Sequence, residues 1–251
     1  MATQLLILCP LIFLAGFIDS IAGGGGLISL NSYQAVGIRD QASLGTNKFS
    51  SLIGCLVASV NYIRTGNVHA ASLIPAMAGA LTGSFFGSKV ALSLSGRAFN
   101  LIMLLATPVV AMLVFFKKDY SDHEQKTRPN AVYMALGALI GLVVGFYDGF
   151  YGPGAGMFMQ FGFIMVAGIE VKKACGNARI VNCCSNAAAL FNFVRYGYVV
   201  YEIAVVCAVF SILGNFIGSR LAIKKDVKIV RPMMLVVTGL LFVKLVLDYI
   251  G

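Results

Sequence analysis

The chain has 251 residues, 59% of them apolar and only 12% charged, with a mean hydropathy of +0.86 and a net charge of +9. Soluble domains carry about 25% charged residues, so this composition cannot build a soluble surface. With no aromatic–basic stripes to read a nucleic acid, the charge belongs to basic loops between membrane spans.

In chain order the apolar runs fall at 4–22, 26–37, 42–63, 72–93 and 97–116. After the polar stretch Lys117 to Asn130 they resume at 131–150, 155–167, 174–195, 199–222 and 228–248. The first run lacks the positive n-region of a signal peptide and continues into a segment with a counterpart deeper in the chain, so it reads as part of the mature fold. A span needs roughly 20 helical residues, and the runs 26–37 and 155–167 reach about two thirds of that. Each first pair of runs is therefore either a helix hairpin returning to its starting side or a steep, shortened crossing pair. Both give an odd number of net crossings per half.

The two halves repeat. G-F-I-D-S-I-A-G-G-G-G (Gly16 to Gly26) faces G-F-Y-D-G-F-Y-G-P-G-A (Gly145 to Ala155) at an offset of 129. At an offset of 131, Gly45 to Lys48 faces Gly176 to Arg179, Asn61 to Val68 faces Asn192 to Val199, and Gly83 to Lys89 faces Gly214 to Arg220. Hydrophobicity alone would not return asparagine, arginine and glycine at one offset. The sequence thus predicts an all-α, polytopic membrane protein. Residues 1–116 form a first repeat, 117–130 a polar cytoplasmic connection, and 131–251 a second repeat. Each repeat has a broken or hairpin first helix pair followed by three spanning helices. With odd parity, Arg64, Lys117, Lys118, Lys126, Arg128, Lys172, Lys173, Arg220, Lys224, Lys225, Lys228 and Arg231 collect on one side, against Arg39, Lys89, Arg97, Arg195 and Lys244 on the other. The positive-inside rule then makes the repeats inverted and places both termini outside the cytoplasm.

Chemistry concentrates at the helix breaks. Asp19 and Asp148 are repeat-equivalent ionisable groups at membrane depth, where a carboxylate costs about 2.5–3.5 kcal/mol. They serve either to couple or gate transport by taking protons, or to cap the broken helix and pair with a cation. Lys48 and Arg179, the equivalent intramembrane cations, either attract an anion or neutralise the aspartates. The breaks at Gly23, Gly24, Gly25 and Gly26, and at Gly152, Gly154 and Gly156 around Pro153, precede short helices whose first amides suit an anion. Ser29, Ser32, Thr46, Asn47, Asn177 and Asn182 supply further hydrogen-bonding groups. Gly83/Gly87 and Gly214/Gly218 read as helix-packing pairs. The six cysteines lie in apolar runs without metal-ligand spacing, and the two histidines lie in loops, so neither a metal nor a cofactor is implied.

The glycine-rich start followed by A-S-L-G-T-N-K (Ala42 to Lys48), with a weaker copy in the second half, resembles the sulfite exporter TauE/SafE family of bacterial membrane proteins. The resemblance covers nearly the whole chain. It implies a carrier of the cytoplasmic (inner) membrane that exports sulfite, organosulfonates or related small acids. Gly23 to Gly26, Thr46, Asn47 and Lys48 match the family pattern, whereas Pro153, Ala155 and Asn177–Arg179 make the second half-site unequal to the first. The expected partners are a small anionic substrate, protons and the lipid bilayer. Two other classes compete: an anion channel, and an intramembrane aspartyl protease. The protease would need a Pro-Ala-Leu element and a carboxylate dyad sharing one proton, and the chain carries no such element.

Overall fold

The computed structural model describes residues 2–38, 40–94 and 127–225. Within them run α1 (Ala2–Ala22), α2 (Gly25–Ala35), α3 (Asp40–Arg64), α4 (Ala70–Ser93), α5 (Asn130–Phe150), α6 (Ala155–Phe161) continued by a π-turn (Gly162–Val166), α7 (Val171–Arg195) and α8 (Tyr201–Lys225). There is no strand among the described residues. The predicted spans 97–116 and 228–248, and most of the Lys117 to Asn130 connection, lie outside the described residues.

The short elements are hairpin arms. Asp19 near the end of α1 accepts the Gly25 amide at the start of α2, and Gln4 Nε2 near the start of α1 donates to the Val36 carbonyl past the end of α2 at 2.9 Å. The chain therefore returns to its starting level, which settles the choice between hairpin and crossing pair. In the second half Tyr147 Oη reaches the Pro153 carbonyl at 2.7 Å, while Gly162 packs on Ile140 farther back along α5. The π-turn there was not expected. It lies in the interval where the second half is two residues longer than the first, and a π-turn holds more residues per turn.

Helix directions follow from the order of contacts. A Cβ on Gly79, Gly83 and Gly87 would meet the backbone of Ala138, Leu142 and Phe146 in turn, so α4 and α5 run parallel. Gly214 and Gly218 meet Phe13 and Phe17 in the same way, so α8 runs parallel to α1. These are the small-residue pairs anticipated from the sequence. The Gly83 Cβ position lies 2.2 Å from the Leu142 carbonyl, so Gly83→Val should split α4 from α5. We expect it to abolish the monodisperse folded peak on size exclusion in detergent, whereas Ala78→Val, on the exposed face of α4, should leave that peak intact.

Residues that recur in sequence make the same contact twice. Asn61 Nδ2 donates to Ser219 Oγ on α8, and Asn192 Nδ2 donates to Ser88 Oγ on α4, each at 2.8 Å. The Gly45 and Gly176 Cβ positions each lie 1.9 Å from a carbonyl of the loop opposite, Tyr198 and Asn67.

The outer surface is largely apolar, while the interior combines apolar clusters with buried charged and polar side chains. Leu6, Ile74 and Phe191 are 78%, 69% and 59% exposed, while Lys48, Asp148 and Arg179 are buried. Among the described residues, four helices, α1, α4, α5 and α8, are long and apolar enough to cross a membrane. The other two long helices, α3 and α7, carry the intramembrane cations and pack between the apolar ones, against each other, α4 and α8. Their central position is why they need less apolar surface.

Candidate functional site

The centre of the molecule holds two ion pairs, and each joins one half to the other. Lys48 Nζ on α3 lies 2.8 Å from Asp148 Oδ1 at the end of α5, with both side chains almost fully buried. Arg179 Nη1 on α7 pairs with Asp19 Oδ2 at the end of α1. The two aspartates are held differently. Asp148 also accepts from Ser185 Oγ and from Asn182 Nδ2 at 3.4 Å. Asp19 takes only the Gly25 amide at 3.1 Å besides its arginine, and its side chain stays 18% exposed. Through the Gly25 amide, Asp19 ties the end of α1 to the start of α2.

The two breaks touch. The Met157 amide donates to the Gly23 carbonyl at 3.1 Å, and Gly23 has φ +79°, a left-handed conformation that glycine adopts freely. A Cβ on Gly156 would stand 2.8 Å from both Gly23 Cα and Arg179 Nη2. The Arg179 side chain has no exposed surface, and its Nε and Nη2 have no hydrogen-bond partner among the described residues. Nε–H and Nη2–H form the lateral edge of a guanidinium, the two-pronged donor that matches an oxyanion.

Where the breaks meet there is a cavity of about 20 Å³, room for roughly one water; Arg179 does not line it, but Gly156, against which its Nη2 lies, does. Of the residues singled out in the sequence, Asp19, Gly23, Gly26, Asn47, Lys48, Asp148, Gly152 and Gly156 line it. Gly24, Gly25 and Gly154 shape the turns without lining it. The first amides of the short helices are largely engaged within the protein: Gly25 with Asp19, Leu27 with the Gly24 carbonyl, Met157 with the Gly23 carbonyl. The amides after Gly26 and Gly156, expected from the sequence to suit an anion, are therefore already engaged within the protein.

Thr46 and Asn177 lie apart from the cavity and mirror each other. Thr46 Oγ1 accepts the Val200 amide at 3.1 Å, and Asn177 Oδ1 accepts the His69 amide at 2.9 Å, each at the approach to a long helix of the other half. The His69 ring stacks on Tyr133 with centroids 4.4 Å apart, and burial first and Lys173 second hold its pKa below the ordinary value. Of the further polar candidates, Asn182 reaches the cavity, while Ser29 and Ser32 donate to carbonyls of their own helix. The sequence reading missed Ser51, Ser185 and Asn186. A helical signal was present, since Asn182 and Asn186 follow Arg179 at i+3 and i+7 and Ser51 follows Lys48 at i+3, on one face in each case.

Apolar helices around a buried, charge-bearing helix break define a multi-pass membrane transporter. The family model described as sulfite exporter TauE/SafE matches residues 8–245, and the chain belongs to that family. It is 34% identical to a probable membrane transporter protein, ORF9, of a Sinorhizobium species, over 94% of this chain and 90% of the relative. It is 32% identical to the probable membrane transporter protein YfcA of Escherichia coli strain K12, over 95% and 88%. A probable membrane transporter of Methanocaldococcus jannaschii, MJ0441, is 24% identical over 95% of each chain. No solved structure matches the chain.

Proposed function

We propose that the protein is a secondary transporter for a small oxyanion, of the sulfite or organosulfonate class that the family description names, bound where the two helix breaks meet. The observation that carries this reading is the unpaired lateral edge of Arg179, a buried charged donor pair packed behind Gly156, which lines the cavity at the junction of the halves. Leaving two such donors unpaired is costly in a finished structure, and a ligand with two oxygens on one centre resolves it.

A cavity of water size supports a carrier seen closed around its site rather than a channel, and alternating access supplies the opening. The inverted arrangement is supported by helix direction: α1 is parallel to α8 and α4 to α5, so corresponding helices of the two halves oppose. By the same directions, Arg64, Lys172, Lys173, Lys224 and Lys225 fall at one end, with Lys89 and Arg195 at the other, which supports a cytoplasmic basic face of the inner membrane. In the export direction, the membrane potential contributes about 2.3 kcal/mol per charge at 100 mV. Asp19 and Asp148 are the gating residues of this scheme, because an anion arriving at a cation competes with its aspartate.

Thermal-shift titration of the purified protein with sulfite and short sulfonates tests the site. Wild-type protein should be stabilised and Arg179→Met should not. Equal stabilisation of both would remove Arg179 from the site.

A further inference from the structure

A second cavity, of about 10 Å³, lies on the other side of Asp19 between α1, α2, α3 and α8. Its polar lining is built from oxygen-bearing groups: the Asp19 carboxylate, the hydroxyls of Ser29, Ser50, Ser51 and Ser211, and the amide of Asn215. Asn215 is 2% exposed. Its Nδ2 donates to the Ser211 carbonyl at 3.0 Å, while its Oδ1 has no donor among the described residues. A buried acceptor without a donor, among hydroxyls and one carboxylate, asks for a positively charged guest. The α2 N-terminus also borders the cavity, but its Gly25 amide is already taken by Asp19. The volume is at the lower limit for a water, which favours a dehydrated ion smaller than water.

The corresponding positions of the second half carry different side chains. At the repeat offset, Ala80 stands for Ser211, Val181 for Ser50, and Ser185 for Gly54. A Cβ on Gly54 would fall 2.2 Å from Ser211 Oγ and 2.5 Å from Asn215 Nδ2, so the missing side chain is what lets these two chamber residues approach α3 so closely. In the second half Ser185 instead has a side chain there and donates to Asp148. The oxygen-bearing wall seen beside Asp19 is therefore not repeated residue for residue beside Asp148.

We infer that this chamber binds a small monovalent cation, Na⁺, beside Asp19. Its coupling to transport rests on the anion reading above. The four central side chains, Asp19, Lys48, Asp148 and Arg179, sum to zero charge. A monoanion on Arg179 leaves the buried centre negative, and a cation against Asp19 restores neutrality. Na⁺ also takes over part of the carboxylate that holds Arg179, which frees the guanidinium for the anion. Each ligand then raises the affinity for the other by the same factor. The membrane potential acts on the anion carried alone, whereas an anion carried with one Na⁺ moves no net charge and feels only the two concentration gradients.

Binding of ²²Na⁺ to the purified full-length protein tests the chamber directly. We expect saturable binding at about one ion per chain, displaced by NaCl and not by choline chloride. Asn215→Ala should weaken it at least tenfold. Asn215→Ser, which installs the residue the second half has at Ser84, should weaken it less and covers a folding failure of the alanine variant. Sodium-free melting curves identify such a failure. Absent saturable binding, or equal binding in wild type and both folded variants, would overturn the site. Sulfite supplied as its N-methyl-D-glucamine salt should bind at least fivefold tighter in NaCl than in choline chloride. Sulfite binding equally in both salts would overturn the coupling and leave the anion site standing. ²²Na⁺ binding with no sulfite binding in either salt would sink the anion reading and spare the chamber.

Discussion

Lys48→Met is expected to be among the most damaging single substitutions in the chain, costing about 3–5 kcal/mol. Lys48 and Asp148 are 2% and 3% exposed, so removing the ammonium leaves a buried carboxylate without its counter-ion. Methionine retains most of the lysine stem, so lost packing contributes little. Lys48→Met/Asp148→Asn, which removes both charges, should recover most of that loss, and Ser185 and Asn182 can still serve the asparagine oxygen. Transport should remain absent in both variants, because the gate has lost its charges. Melting temperature in detergent together with sulfite flux in proteoliposomes checks this. A double variant no more stable than the single one would mean that the stranded charge is not the cause. Arg179→Met should be milder for stability, since Asp19 keeps partial exposure and the Gly25 amide.

Gly23→Ala is expected to cost about 3 kcal/mol or more and to abolish transport. A left-handed conformation alone costs a side-chain-bearing residue about 1–2 kcal/mol. At Gly23 the new Cβ would also lie 2.2 Å from the Gly156 carbonyl carbon and 2.3 Å from the Met157 amide nitrogen, forcing the breaks apart at their point of contact. Gly37 is the control. Its φ is +94°, yet a Cβ there meets nothing within 4 Å, so Gly37→Ala should carry the conformational cost alone. Similar melting temperatures for the two alanine variants would show that the contact between the breaks contributes nothing to stability.

Much of this was legible in the sequence because the chain states its plan twice. The recurrence of Gly45 at 176 and Asn61 at 192 marked the equivalent helices, and the lone aspartate before each glycine cluster marked the centre. The partner of each charge was not legible. Asp19 and Lys48 share a half, as do Asp148 and Arg179, but the pairs cross between halves, a fact of packing with no local signature. Thr46 and Asn177 sit beside the cations in sequence and looked like ligand groups. Each stands two residues before its cation, and two steps along a helix rotate a side chain by about 200°, which turns them toward the amides of Val200 and His69. The Gly54/Ser185 difference was likewise silent, because a missing side chain is informative only once its neighbours are known.

The crossed pairs also impose a schedule on biosynthesis. Lys48 is 100 residues ahead of its partner in the chain, and Asp19 is 160 residues ahead. At about 5–20 residues per second, Asp19 leaves the ribosome on the order of ten to thirty seconds before Arg179 exists. The first half therefore enters the bilayer with charges that have no final partner, and only the arrival of α7 completes them. Insertion and final packing are separated in time, and the nascent protein spends the interval dependent on whatever in the translocation machinery can shelter an ammonium and a carboxylate.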